Sequence, residues 1–223
     1  MSPSKSRSSR QRSWIEDSLF EHGLRTIAGV DEAGRGACAG PLVIAAVAID
    51  RERHLSMKES LAKILERWGT LDSKAMKEEL RESVFETLHK NVIAVEVVTI
   101  LSQEIDRHGL QEMNTSGMRR ALSQITIPID YALTDGYAIE GLDMPSLAIL
   151  KGDAVSMAVG AASIVAKVTR DRLMIEWDRL HPEYGFARHK GYSAPAHIAA
   201  IKEHGILPIH RRSYSNIAAI INA

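Results

Sequence analysis

Residues 26–49 read "TIAGVDEAGRGACAGPLVIAAVAI", two runs rich in Val, Ile and Ala around a loop of small residues, which predicts two successive strands and the turn between them. Asp31 and Glu32 stand side by side where the first run meets the loop. Neighbouring side chains on a strand point to opposite faces, so if both acids lie in the strand, one of them enters a core. The plainer alternative is that the strand ends at Asp31 and Glu32 opens a solvated turn, the ordinary reading of an isolated Asp-Glu pair.

Three further stretches read as strands: "VIAVEVVTI" (92–100), "IDYALTD" (129–135) and "LAILKG" (147–152). Helices are expected over "MKESLAKILERW" (57–68) and over "KAMKEELRESVFETLHK" (74–90), where Met76, Leu80, Val84 and Leu88 recur at four-residue spacing. A helical stretch covers about 114–124, a short amphipathic segment lies around Trp14 to Glu21, and the chain from about Val155 onward is mostly helical. Early strands followed by strands alternating with helices imply an α/β fold, a mixed sheet flanked by helices with a helical C-terminal part.

The 223 residues, 45% hydrophobic and 25% charged, have the composition of a globular chain. The longest apolar run, "PLVIAAVAI", is far short of the roughly 18 residues of a membrane span, so no membrane is expected. The opening "MSPSKSRSSRQRS" is basic and Ser-rich with no apolar region after it. It reads as a disordered arm over 1–13 rather than a secretory signal, with residues 14–223 forming one domain. The single cysteine, Cys38, excludes an intrachain disulfide framework and fits a cytoplasmic protein. Formal charge is zero, but the arm holds Lys5, Arg7, Arg10 and Arg12, which leaves 24 basic against 28 acidic side chains in the body. Between Ala187 and Tyr214 five Lys or Arg and four His meet one acid, Glu203. That stretch could face phosphates or simply be a solvated helix face.

Asp31, Asp135 and Asp153 all fall at the ends of expected strands. Taken singly each reads as a turn former, Asp135-Gly136 being a common turn pair. Taken jointly they match the carboxyl ends of strands, where sites assemble in open α/β sheets. Clustered carboxylates repel and take up protons unless cations are present. Two divalent ions would balance the four charges of Asp31, Glu32, Asp135 and Asp153, and oxygen-only ligands favour Mg²⁺ or Mn²⁺ over zinc. Ions about 4 Å apart activate water and stabilise a leaving oxygen in phosphoryl transfer. Beside them, "AGRGACAG" lets the backbone approach a ligand, with Arg35 as a fork-shaped donor; a structural turn explains the glycines as well.

Taken in order, "GVDEAGRGACAGPLVIAAVAI", "LDSK", "TDG", "KGDAVSMAVGAASIVAKVTRDR", "HKGYSAPAH" and "PIHRRSY" resemble the type 2 ribonucleases H, specifically the bacterial ribonuclease HII family, from about Gly29 to Tyr214. The related ribonuclease HIII carries an extra N-terminal domain and typically a lysine where this loop has Arg35. The resemblance implies a ribonuclease H-like fold and a monomeric endonuclease that needs Mn²⁺ or Mg²⁺, two ions per site. Its substrates would be RNA–DNA hybrids and duplex DNA containing ribonucleotides, cut on the 5′ side of the ribonucleotide to leave 5′-phosphate and 3′-hydroxyl ends, a step in ribonucleotide removal from DNA. It places the family's four acids on Asp31, Glu32, Asp135 and Asp153, both members of the Asp-Glu pair joining the site because alternation need not hold at a strand's last residue. Gly34, Arg35 and Gly36 would contact the 2′-hydroxyl through their backbone, and Tyr192 would pack on the adjoining deoxyribose. Ser73 and Lys74, with Ser163 and Lys167, match positions that hold the substrate strand.

The chain departs from the family pattern in "GLQEMNTSGMRRA", where Asn114 and Thr115 receive no role, and at Thr134, where an aliphatic residue is usual. Asp171 reads as the i,i+4 partner of Lys167 on a helix rather than as a fifth acid. Cys38, among Gly and Ala, reads as a packing residue. Two other functions compete: a nuclease of the same fold acting on DNA junctions, and a non-catalytic hybrid-binding protein. Four acids weigh against the latter, because phosphate binding alone favours cations.

Overall fold

The computed structural model describes residues 14–68, 71, 73–74 and 76–222; the expected arm, 1–13, lies outside them. Five strands, β1 (Thr26–Ala33), β2 (Leu42–Asp50), β3 (Ala94–Ile100), β4 (Tyr131–Asp135) and β5 (Ser146–Ile149), form one sheet in the order β3-β2-β1-β4-β5. The first three pair antiparallel, while β4 and β5 run parallel to β1. The helices are α1 (Ile15–Glu21), α2 (Arg51–Ser60), α3 (Ala62–Trp68), α4 (Glu78–Asn91), α5 (Ser102–His108), α6 (Leu110–Gln124), α7 (Met157–Leu180), α8 (Phe186–His189), α9 (Pro195–His204) and α10 (Ser215–Ile221). The mixed sheet flanked by helices is the expected architecture.

Alternation along the strands sorts the core into two layers. Ile27 and Ala33 of β1, Val43, Ala45, Val47 and Ile49 of β2 and Leu133 of β4 share one apolar cluster with α1, α4 and α7. Ala28, Val30, Leu42, Ile44, Ala46 and Ala48 share the other with Ile105 of α5 and Met118 and Leu122 of α6. Because helices cover both faces, the central strands read as continuous apolar runs rather than as alternating ones. Gly29 sets how closely α7 approaches: a β-carbon there would lie 2.2 Å from the Ala158 backbone carbon. A third cluster joins Cys38 and Ala39 to Met174, Tyr184, Phe186, Ile201 and Ile217, so the helical C-terminal part docks on the loop between β1 and β2.

Helix boundaries differ from expectation where polar residues carry them. α2 begins at Arg51 rather than Met57, because the Asp50 carboxylate accepts the Arg53 N–H at 2.7 Å and caps it. α4 begins at Glu78, leaving Met76 buried just ahead of it. The short, polar α5 was not anticipated, since it buries only Ser102 and Ile105. Among the described residues no helix is long and apolar enough to cross a membrane.

Candidate active site

β1 and β4 pair from Ile27↔Tyr131 to Val30↔Thr134, and the next residues in that register are Asp31 and Asp135. Two carboxylates therefore stand side by side where the pairing of the parallel strands β1 and β4 ends, the strands being about 4.8 Å apart. β1 does not end there. It continues to Ala33 paired with β2, Asp31 opposite Ala45 and Glu32 opposite Ile44. Alternation thus holds through the acidic pair, contrary to expectation. Asp31 shares the α7 face with Gly29 and accepts a hydrogen bond from the Ser163 hydroxyl, while Glu32 points to the α6 face, beside Asn114. The pairing of β4 with β1 ends at this level, and the charge of Asp135 acts on both acids.

Asp135 is fixed by the Gly152 N–H, which donates to it at 2.7 Å. Gly152 opens a single 3-10 turn, Gly152–Ala154, that carries half-buried Asp153 next to that bond. The Thr134 hydroxyl donates to the Tyr137 carbonyl, so the polar residue in a usually aliphatic position braces the turn after Asp135. Burial pushes the Asp31 carboxyl well above its usual range, and the charges of Glu32 and Asp135 push the same way. Burial and Asp135 likewise raise Glu32, against the pull of Arg35 and Lys74.

Ser163 and Ser73 form a chain behind Asp31, their hydroxyl oxygens 3.0 Å apart. Arg81 holds this segment, donating to the Ser73 carbonyl, the Met76 carbonyl and the Asp171 carboxylate at 2.9 Å each. Lys167 lies one turn beyond Ser163 and donates to Asp171 at 2.5 Å, so the i,i+4 pair is present and Lys167 is committed to it. Lys74 is exposed, with its charge acting on Glu32.

The Gly34-Arg35-Gly36 loop meets Tyr192 at the rim. A β-carbon on Gly36 would lie 3.9 Å from the Tyr192 ring, which is 40% exposed. Two buried arginines anchor this corner by its carbonyls. Arg170 of α7 donates to Pro41, Lys190 and Ala39 at 2.9, 2.8 and 3.0 Å, and Arg211 to Gly40 and Arg35. Gly34, at φ +89°, passes directly over Arg170: a β-carbon would sit 1.9 Å from its Nε. Arg35 donates to Gln111 at 3.2 Å and lies 5.3 Å from the Tyr137 ring centre. In the basic stretch from Ala187 to Tyr214, Lys190, His197, His210 and Arg211 are buried, while Arg188, Lys202, His204 and Arg212 stay exposed.

The model of the ribonuclease HII family matches residues 28–217. The chain belongs to that family. A curated ribonuclease HII of Mycobacterium sp. (strain KMS) is 46% identical over 209 residues, 94% of this chain and 83% of the relative. The crystal structure of the ribonuclease H2 from Pyrococcus horikoshii OT3 superposes with a TM-score of 0.72 at 31% identity, covering 88% of this chain and 97% of that one. A Bst-RNase HIII in complex with Mn²⁺ shares the fold at 19% identity, TM-score 0.68, over 92% of this chain and 72% of that one.

Ribonuclease HII is an endonucleolytic hydrolase that depends on divalent metal, and the donor set suits such an ion. Every carboxylate here offers hard oxygen, the Glu32 Oε2 is buried without a hydrogen-bond partner, and two carboxyls are raised by burial and mutual repulsion that a cation would relieve. Among the described residues no three His, Cys, Asp or Glu side chains stand close enough to ligate one ion as they are.

Reading the sequence missed three residues of this ribonuclease HII frame. Arg170 received no role, and Arg211 was counted only within the basic stretch from Ala187 to Tyr214. Glu16, fully buried, accepts from the Ser156 hydroxyl at 2.5 Å and the Ala158 N–H at 2.9 Å, and so holds the start of α7 beside Asp153. Its only signal was an acid in a short helix flanked by Trp14 and Phe20.

Proposed function

We propose that this ribonuclease HII hydrolyses the RNA strand of RNA–DNA hybrids and cuts on the 5′ side of ribonucleotides embedded in duplex DNA, contributing to ribonucleotide removal from DNA. The observation that carries the reading is the meeting, at the open end of β1, of the acids with a backbone-lined rim made of Gly34, Arg35, Gly36 and Tyr192. Asp31, Glu32, Asp135 and Asp153 would hold the metal, Mn²⁺ or Mg²⁺ in two sites. When bound, such ions supply an activated water and charge stabilisation for the departing 3′-oxygen.

The rest is done by the chain. Ser163, backed by Ser73, orients the Asp31 carboxylate, and the Gly152 N–H orients Asp135. Arg211 holds the Arg35 carbonyl and Arg170 holds the Ala39 and Pro41 carbonyls just beyond it, which keeps the Gly34-Arg35-Gly36 backbone rigid enough to test for a 2′-hydroxyl, the group that separates RNA from DNA at one position. The exposed face of Tyr192 packs on the neighbouring deoxyribose. Lys74 meets the substrate strand; Lys167 contributes by fixing Asp171 rather than by touching phosphate. The single cysteine supports a cytoplasmic location.

The test is cleavage of a duplex carrying one embedded ribonucleotide, with chelator and with Mn²⁺ or Mg²⁺. We expect cutting only with the ion, ending in 3′-hydroxyl and 5′-phosphate. A 2′,3′-cyclic phosphate would mean attack by the ribose itself and would overturn the reading. Equal cutting of an all-DNA duplex would remove the junction assignment.

A further inference from the structure

Behind Tyr192 lie three histidines that the reaction does not use. The His197 Nδ1 is 2.9 Å from the Tyr192 carbonyl oxygen, its Nε2 is 3.2 Å from the Nε2 of His210, and the Leu207 N–H reaches the His210 Nδ1 at 2.8 Å. A carbonyl only accepts and a backbone N–H only donates, which fixes the tautomers of the neutral rings. His197 carries its proton on Nδ1 and donates to Tyr192, leaving its Nε2 bare. His210 must then donate from Nε2, leaving its own Nδ1 bare to accept the Leu207 N–H at 2.8 Å; the Leu207 carbonyl, 3.2 Å from the same nitrogen, then receives no proton from it. The chain has one direction from Leu207 to Tyr192.

His189 is fixed the same way, with its Nε2 2.8 Å from the Tyr184 carbonyl and its Nδ1 accepting the Gly191 N–H at 3.2 Å; its ring stacks on His197 at 4.3 Å between centres. The backbone between these bonds is unusual. Lys190 and Gly191 both adopt positive φ, +50° and +79°, and the Gly191 carbonyl accepts the N–H groups of Cys38 and Ala39, the far side of the glycine loop. A turn of this kind persists only where its surroundings over-determine it.

We propose that His197, with His210 behind it, is a positioning residue for Tyr192, setting the height of its ring against the Gly34-Arg35-Gly36 loop. The proposal rests on the reading of Tyr192 as the group that packs on the deoxyribose. Burial lowers His197 to about 4 and His210 below its usual range, so both rings are neutral when the enzyme works, as the chain of hydrogen bonds requires.

Asn and Gln separate the two ring nitrogens. In His197→Asn the side-chain amide falls near the former Nδ1 and can still donate to Tyr192; in His197→Gln it falls near the former Nε2 and cannot. The measurement is single-turnover cleavage, in saturating Mn²⁺, of a duplex with one ribonucleotide and of an all-RNA strand paired with DNA. Tyr192→Ala should lower the first rate by roughly tenfold to a hundredfold, by analogy with base–aromatic stacking. His197→Gln should lower it by about threefold to tenfold, the worth of one hydrogen bond, with less effect on the hybrid, and His197→Asn should restore it. Added to Tyr192→Ala, His197→Gln should change nothing further, because coupled residues are not additive.

If His197→Gln costs the same with and without the Tyr192 ring, or if Asn and Gln behave alike, the positioning role is wrong while the reading of Tyr192 stands. If Tyr192→Ala cuts the single-ribonucleotide duplex at the wild-type rate, that reading falls and takes the positioning role with it. The thermal unfolding midpoint of each variant against wild type separates a loss of rate from a loss of fold. Ring ¹⁵N shifts should place the proton on Nδ1 of His197 and on Nε2 of His189 and His210, and the opposite pattern at His197 overturns the proposal.

Discussion

Asp31 is only 6% exposed, paired on one side with β2, hydrogen-bonded to Ser163 and surrounded by the charges of Glu32 and Asp135. A carboxyl raised by burial and like charges makes its ionised form a cost to the metal-free fold at neutral pH. Asp31→Asn keeps the shape and removes the charge. We expect it to abolish nearly all turnover and to raise the metal-free unfolding midpoint, since burial and the neighbouring charges penalise the ionised carboxylate in the folded chain and not in the unfolded one. Near wild-type turnover at saturating metal would show that Asp31 is no ligand of the reacting ions. The position of this acid was legible because Asp31, Asp135 and Asp153 each follow an apolar run. What was not legible is how Asp31 and Glu32 share the work. The length of β1 beyond its pairing with β4 depends on β2, a partner that no local pattern around Asp31 reveals, so the strand was expected to end two residues early.

At the scale of elements, α7 is the spine of the site. Ser156 caps its start by accepting the Val159 N–H, Glu16 holds that cap from α1, and Gly29 admits the helix against β1. From one side of it Ser163 reaches Asp31, and further along Arg170 reaches three carbonyls of the β1–β2 loop and the Tyr192 turn. Burial lowers Arg170 to about 10, which leaves it charged at neutral pH. Arg170→Met should therefore strand three buried carbonyls and cost roughly 3 kcal/mol or more, read as a drop in the unfolding midpoint. Arg172→Met on the same helix is the comparison. Its guanidinium is about half exposed and pairs with Glu82 at 2.5 Å, and exposed pairs contribute at most about 1 kcal/mol. Equal losses for the two would show that the carbonyl anchor is not what holds the corner. In sequence "TRDR" presents both arginines alike; only the C-terminal cluster that closes over Arg170 separates them, and it is assembled from segments distant along the chain. Glu16 escaped notice for the same reason, because the donors it satisfies lie across the molecule on α7.

Over the whole molecule, two buried titrating clusters lie on either side of the β1–β2 loop and respond to pH in opposite directions. His197 and His210 are lowered in the folded chain, so an unfolded chain takes up protons first as pH falls. Their contribution is fully present above about pH 6.5, the ordinary histidine value, and is lost on the way down towards about 4. Asp31 and Glu32 are raised, so the folded chain holds their protons longer. The stability they contribute is present at low pH and is lost as pH rises through their folded values. Between about pH 4 and 6.5 the two effects oppose each other, and metal-free wild type should show a shallow dependence of unfolding midpoint on pH. Asp31→Asn removes much of the acidic side and leaves the histidines, so its midpoint should rise with pH more steeply. Adding Mn²⁺ should stabilise wild type more at pH 7.5 than at pH 5, because ligands must lose their protons to bind, and should stabilise Asp31→Asn less at both. Thermal unfolding from pH 4 to 7.5, in chelator and in excess Mn²⁺, measures all of this at once. Parallel metal-free profiles for the two proteins would mean that Asp31 does not titrate as its burial requires. A metal increment unchanged by the substitution would mean that the ion binds elsewhere.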